Sequence, residues 1–355
     1  MARGGLSDRE IRQFLCTEEE DFSGDSTDDD EIDCDISEVL STSEIEWSGV
    51  SSDNDVSTGT VFRSKNGLEL WNAAPFNAAQ GRASAANIIL QKSGPTRYAN
   101  REVDNEKSAF SLFFRNKVIE TICKWTNKEG NIKFRDAWKA VSVQELQKYI
   151  GVLVLIGVYK SKNEETRQLW SKENGRPLFS RVMSRNRFQQ ISSALRFDDA
   201  DLRRHSRPTD KLSPIRELFE DWTKNLQDAF IPGDNMTVDE QLVTFRGRCP
   251  FRQYIPSKPG KYGIKFWVIC DSTTSYVWNM QIYSGKNPKQ GREANQGERV
   301  VLQMTEQIAG SGRNITADNF FTSLSLARKL KQRKLTYVGT IRKNKPELPP
   351  VFIKA

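Results

Sequence analysis

Hydrophobic positions are scattered near the start of the chain, recur every three or four residues in its middle, and alternate toward its end. In FSLFFRNKVIETICKWTNK, Phe110, Phe113, Phe114, Val118, Ile122 and Trp125 fall on one stripe, which predicts an amphipathic helix. SVQELQKYIGVLVLIGVYK predicts a second, with Ser142 as N-cap and Glu145 three residues on in a capping-box arrangement. Its apolar run at 150–159 reads as a buried helix, too short to span a membrane. SRNRFQQISSALRF and SPIRELFEDWTKNLQDAF predict two more, the latter with Pro214 in its first turn. Four or five helices with arginine-rich exposed faces are therefore expected over 106–233.

From Gly233 the period changes to two. NMTVDEQLVTF, YGIKFWVICDS and YVWNMQIYSG predict three strands of an antiparallel meander. A helix is expected near GERVVLQMTEQIAG, a fourth strand at NITADN, a helix at FFTSLSLARKLKQRK and a fifth strand at LTYVGTIR. Three antiparallel strands followed by a crossover to a parallel fourth form the first part of a ribonuclease-H-like domain. The expected class is α+β: a disordered tail and linker over 1–105, an all-α segment over 106–233, and an incomplete mixed-sheet domain over 234–355.

Charge sharpens this division. Residues 1–60 hold 18 Asp and Glu against 3 Lys and Arg, whereas residues 61–355 hold 50 basic against 28 acidic residues. So acidic a tail, rich in Ser, Thr and Gly, cannot bury enough surface to offset its chain entropy. Its acidic-hydrophobic alternation fits either an activation segment with a protein partner or a solvating tail. The body's excess of positive charge points to a polyanion, with nucleic acid ahead of a merely soluble basic surface. The cysteines at 16, 34, 123, 249 and 270 form no CxxC pair, so neither a disulfide framework nor a zinc site follows. The one histidine, His205, lies in a polar run that reads as a solvated loop. The N-terminus lacks the apolar core of a secretory signal, leaving nuclear or cytosolic residence.

One strand carries the candidate chemistry. In MTVDEQLVTFRGRCPFRQY, Asp239 and Glu240 interrupt an apolar run that hands over to Arg246, Arg248 and Arg252. If the first and fourth strands lie side by side, Asp239 and Asp318 face one another. Two such carboxylates, with a third from a later helix, can hold a pair of Mg²⁺ or Mn²⁺ ions, which clamp the attacking and leaving oxygens of a phosphoryl transfer. Hard oxygen ligands suit these ions, in keeping with the near absence of histidine. Strand alternation sends Glu240 to the other face, toward solvent or an arginine. Asp271, ending the second strand, reads as a turn former. Arg246, Arg248, Arg252, Lys258, Lys261 and Lys265 form a basic hairpin suited to a DNA backbone, or simply a solvated loop.

The run FRGRCPFRQYIPSKPGKYGIK and the later NITADNFFTS closely resemble signatures of piggyBac-family DNA transposases. The resemblance extends upstream through MSRNRFQQISSALRFDD, IGVLVLIGVYK and KWTN to SGPTRYAN, covering 93–355. It implies cut-and-paste transposition, with DNA hydrolysis and strand joining by two divalent metals on a ribonuclease-H-like fold in the nucleus. It also implies a helical segment that dimerises and binds transposon ends, with target DNA as second substrate. Asp239 and Asp318 match the first two catalytic aspartates, and Arg246, Arg248, Lys258, Lys261 and Lys265 fall in the DNA-contacting hairpin. Arg342 and Lys345 match basic residues near target DNA. The family's later acidic ligands and cysteine-rich zinc module have no counterpart in this sequence. The expectation is a truncated, transposase-derived DNA-binding protein, inactive alone. The alternatives are a fragment of an active transposase and a domesticated transcriptional regulator.

Overall fold

The computed structural model describes residues 61–73, 88–89, 91–161, 163–206, 208–285 and 293–353. The chain divides into units 1–58 and 59–355, and every described residue lies in the second. The acidic tail falls outside the described residues.

The linker expected over 61–105 is structured in part. Strands β1 (Val61–Arg63) and β2 (Leu70–Asn72) pair antiparallel. This hairpin grips a segment far along the chain. The Trp71 indole N–H donates to the Glu347 carbonyl at 2.9 Å, and the Lys65 and Asn66 amides donate to the Leu348 and Pro346 carbonyls. The Phe352 ring sits edge-on to Phe62 and Trp71, at 5.5 and 6.0 Å. Three-residue strands carry no readable period, and their partners are some 280 positions away, so no local pattern could reveal them.

Strand β3 (Gly94–Pro95) leads into nine described helices where four or five were expected. These are α1 (Arg97–Glu102), α2 (Glu106–Phe113), α3 (Asn116–Phe134), α4 (Val143–Val158), α5 (Thr166–Leu169), α6 (Pro177–Val182), α7 (Arg185–Ala194), α8 (Ala200–Ser206) and α9 (Arg216–Ala229). The apolar stripe predicted as one helix is cut between α2 and α3. A capping box between Asn105 and Ser108 starts α2, and an extended Arg115 separates it from α3. That break lets the Arg115 guanidinium lie over the Tyr98 ring and pair with Asp228 of α9 at 3.0 Å. Ser142 caps α4 by accepting the Glu145 N–H, but the Glu145 carboxylate turns to Arg187 of α7 instead of closing the box. Pro214 lies in the turn before α9 and His205 sits exposed on α8, each one element away from its predicted place.

The helical core gathers Ile119, Leu146, Val152, Phe179, Phe188 and Ile191. Only one side of α4 joins it: Val154 and Val158 are 53% and 67% exposed, although the apolar run reads as buried throughout. A sequence apolar all round does not reveal which side finds a partner. No helix among the described residues is long and apolar enough to cross a membrane.

After β4 (Phe230–Ile231) come β5 (Asn235–Thr244), β6 (Gln253–Tyr254), β7 (Tyr262–Asp271), β8 (Val277–Ile282), α10 (Gln296–Met304), β9 (Asn314–Ala317), α11 (Leu324–Gln332) and β10 (Thr336–Gly339). The sheet runs β10-β9-β5-β7, with β6 and β8 both on the far side of β7. The pairs around β7 are antiparallel, whereas β9 is parallel to both β5 and β10. This is the expected meander and crossover, with β6 added. α10 and α11 bury one face around Met236, Val238, Trp267, Ile269, Ile315 and Leu326. On the other face α9 approaches β7 and β8, with Phe219 6.2 Å from Phe266 and the Tyr276 hydroxyl donating to the Leu226 carbonyl.

The end of the sheet opposite the candidate carboxylates is locked by buried polar groups. Asp271 forms the predicted turn, accepting from the Thr273 and Thr274 amides and also from the Gly233 amide at 2.6 Å. The buried Arg313 guanidinium donates to the Pro232 and Gly233 carbonyls. These bonds fix the relative register of β5, β7 and β9 at their shared end.

Candidate functional site

Registration of the two parallel strands determines the site. Thr237 pairs with Thr316 and Val238 with Ala317. The next residues along are Asp239, still within β5, and Asp318, the first residue after β9. Met236, Val238, Ile315 and Ala317 point into the core, so alternation puts Asp239 on the opposite face, and both Asp239 and Asp318, in the turn that follows β9, are exposed. This accounts for acid in an otherwise apolar strand.

Both carboxylates are oriented by backbone donors. Asp239 Oδ1 accepts the Glu240 N–H at 2.7 Å, and Asp318 Oδ1 accepts the Phe320 N–H at 3.0 Å. The Thr322 hydroxyl donates to the Asp318 carbonyl at 2.7 Å and also meets the Tyr337 hydroxyl, which closes the turn after β9. Although Asp318 is exposed as a residue, its carboxyl is held above the usual carboxylate range. Desolvation is the largest cause, and the charges of Asp239 and Glu240 add to it, against the Phe320 and Phe321 amides. Crowded negative charge at the end of a rigid sheet is the arrangement a hard cation relieves. Among the described residues no group of three or more His, Cys, Asp or Glu side chains could hold a metal ion.

Glu240 points to the core-side face and meets two lysines, rather than solvent or an arginine. Its carboxylate lies 2.8 Å from Lys265 Nζ and 3.5 Å from Lys258 Nζ. Two of the six predicted hairpin contacts are thus engaged within the protein. A third, Arg252, braces the loop by donating to the Arg246 and Gly247 carbonyls at 3.1 and 3.2 Å and lies over the Tyr262 ring. Arg246, Arg248 and Lys261 are exposed along the same loop, with Lys261 in a left-handed turn at φ 50°. Arg342 lies on the other flank of the carboxylates, donating to the Asn319 side chain at 3.2 Å, and Lys345 is half-buried three residues on. Glu240 and the aromatic side chains around Lys265 are what sequence reasoning missed. A strand-alternation argument assigns a face, but it does not identify the partner waiting there.

A family model described as Transposase IS4 matches residues 105–355. The chain belongs to the piggyBac transposase family. Human PiggyBac transposable element-derived protein 3 is 31% identical over 249 residues, covering 68% of this chain and 40% of that protein. Human PiggyBac transposable element-derived protein 2 is 25% identical over 252 residues, with the same shares covered. Among solved structures, the piggyBac transposase synaptic complex with hairpin DNA is similar at TM-score 0.69 and 39% identity, over 74% of this chain and 55% of that one. This piggyBac-family chain therefore spans well under two thirds of the relatives it matches.

Proposed function

We propose that this chain is a duplex-DNA-binding protein of piggyBac origin, whose mixed sheet is a ribonuclease-H-like domain carrying part of a metal-dependent strand-transfer site. The observation that carries the reading is that the parallel register of β5 and β9, ending at Val238 and Ala317, brings Asp239 in β5 and Asp318 just after β9 to the same end of the sheet, beside a basic loop. Support for DNA as ligand comes from the solved relative, a piggyBac transposase in complex with hairpin DNA. In this reading Asp239 and Asp318 hold a divalent cation, Mg²⁺ or Mn²⁺. A bound cation of that kind activates an attacking oxygen and stabilises the leaving one.

The remaining work falls to the chain's own residues. Arg246, Arg248 and Lys261 meet phosphates on one flank of the carboxylates, and Arg342 and Lys345 on the other. Their spacing along the loop lays the duplex backbone across the sheet end and brings a phosphodiester to Asp239 and Asp318. The helical segment 97–229 would supply further DNA contacts and a homodimer interface, the acidic tail would contact a protein partner, and the nucleus would be the place of action.

Among the described residues no third carboxylate joins Asp239 and Asp318, and the activity proposed for this stretch of chain is DNA binding without cleavage. The test is a labelled duplex incubated with the protein and Mn²⁺, read for both retention and nicking. Retention without nicking is the expected result. Nicking by the wild type that disappears in Asp239→Asn would show that the ligand count is wrong. Failure to retain any duplex at low salt would remove the DNA-binding reading.

A further inference from the structure

We propose that Lys265 is a positioning residue for the Asp239–Asp318 pair and makes no phosphate contact. The inference rests on the reading of that pair as a cation-holding site. Asp239 accepts a hydrogen bond from the Glu240 backbone N–H, and Asp318 accepts one from the Phe320 backbone N–H, with the Phe321 amide adding to it. The side chains of Glu240 and Phe320 converge on Lys265. Its ammonium lies 2.8 Å from the Glu240 carboxylate and 5.4 Å from the centre of the Phe320 ring. Trp267 completes the assembly beneath them. Lys265 Nζ stands 4.2 Å above the Trp267 ring, and Phe320 stacks on the same ring at 5.3 Å with 16° between planes. Tyr283 closes a further side, 5.6 Å from the ammonium.

The Lys265 side chain is 16% exposed and Trp267 is 2% exposed, so the cation is walled off from a passing phosphate. A desolvated ammonium attracts both a carboxylate and aromatic faces, and a planar stack fixes ring orientation. One charge thereby ties together two of the residues, Glu240 and Phe320, whose backbone amides aim the carboxylates. Asp239 comes from β5 and Asp318 from the turn after β9, and Lys265 on β7 is the group that touches what supports each.

The experiment compares the full chain with Lys265→Met, which keeps the length of the stem, and Lys265→Arg, which keeps the charge. Hydrogen exchange at residues 239–241 and 319–322 is the first readout, and it needs no metal. Loss of the ammonium should speed exchange at both sites by about tenfold, with Lys265→Arg restoring protection. Phe320→Leu should speed 319–322 and spare 240; it decides the matter if Lys265→Met is recovered unfolded. Unchanged exchange in the folded variants would overturn the proposal.

The second readout is Mn²⁺ affinity, for which position and charge predict opposite signs. Removing a positive charge beside a cation site should tighten binding, whereas misaligning the carboxylates should weaken it. Weaker binding in Lys265→Met supports positioning, and tighter or equal binding overturns it. Asp239→Asn serves as the control. If it binds Mn²⁺ as well as wild type while Lys265→Met still exchanges faster, the cation reading of the pair fails and the positioning role of Lys265 stands. A fall in the salt slope of DNA binding by about 0.9 in Lys265→Met would make it a phosphate contact and also overturn the proposal.

Discussion

Replacing Arg246, Arg248 and Lys261 together by alanine should flatten the salt dependence of DNA binding. All three are exposed on the loop between β5 and β7. Each phosphate contact on duplex DNA contributes about 0.9 to the slope of log affinity against log salt, so three contacts contribute about 2.7. Between 50 and 200 mM salt, a fourfold change, the wild type should lose about 40-fold more affinity than the variant. The assay is fluorescence anisotropy with a labelled duplex over that range, with thermal melting alongside. Arg252→Met is the internal comparison, because Arg252 is committed to two backbone carbonyls and the Tyr262 ring. Its loss should cost about 1–2 kcal/mol of stability, the worth of charge-assisted bonds at an exposed loop, with a much smaller change in slope. An unchanged slope in the triple variant would remove the loop from the DNA interface. A slope change of the same size in Arg252→Met would refute the division of the loop into bracing and contacting cations.

Three further outcomes follow from packing and protonation. Gly130→Ala in α3 should destabilise by about 1–3 kcal/mol in calorimetry despite the better helix propensity of alanine, because the added Cβ would lie 2.1 Å from the buried Trp138 ring. Burial pushes the Asp271 carboxyl up, but hydrogen bonds from Thr274, Gly233 and Thr273 outweigh it and leave the carboxyl below its ordinary value. A depressed folded value means that the stabilisation is present above the unfolded range and lost as pH falls below about 4, so Asp271→Asn should remove part of the acid limb of a stability profile. A double-mutant cycle of Phe62→Leu with Phe352→Leu should give a coupling of about 0.5–1.5 kcal/mol, and a coupling of zero would show that the hairpin does not grip the later segment.

The sheet was the legible part of this chain. Alternation in β5, β7 and β8, followed by helix, strand, helix and strand, is a pattern that few topologies satisfy, and it made β5, which carries Asp239, the neighbour of β9, which Asp318 directly follows. The helical segment was less legible, because one apolar stripe can belong to one helix or to two. What splits α2 from α3 is Arg115 reaching Asp228, more than a hundred positions away. Arg252, Lys258 and Lys265 look like Arg246 and Lys261 in a list of charges. Only the folded chain distinguishes them, by the presence of a carbonyl, a carboxylate or an aromatic ring within reach. The β1–β2 hairpin was hidden for the same reason, since its stability lies in Trp71, Glu347 and Phe352 rather than in its own residues.

The most direct test of the central claim is affinity cleavage with Fe²⁺ in place of the native cation. Fe²⁺ seated at the carboxylates, treated with ascorbate and peroxide, should cut the polypeptide beside Asp239 and beside Asp318 and nick a bound duplex at one position. Both sets of cuts should vanish in Asp239→Asn and in Asp318→Asn. Cuts that persist in either variant, or that fall elsewhere on the sheet, would contradict a cation held between β5 and β9.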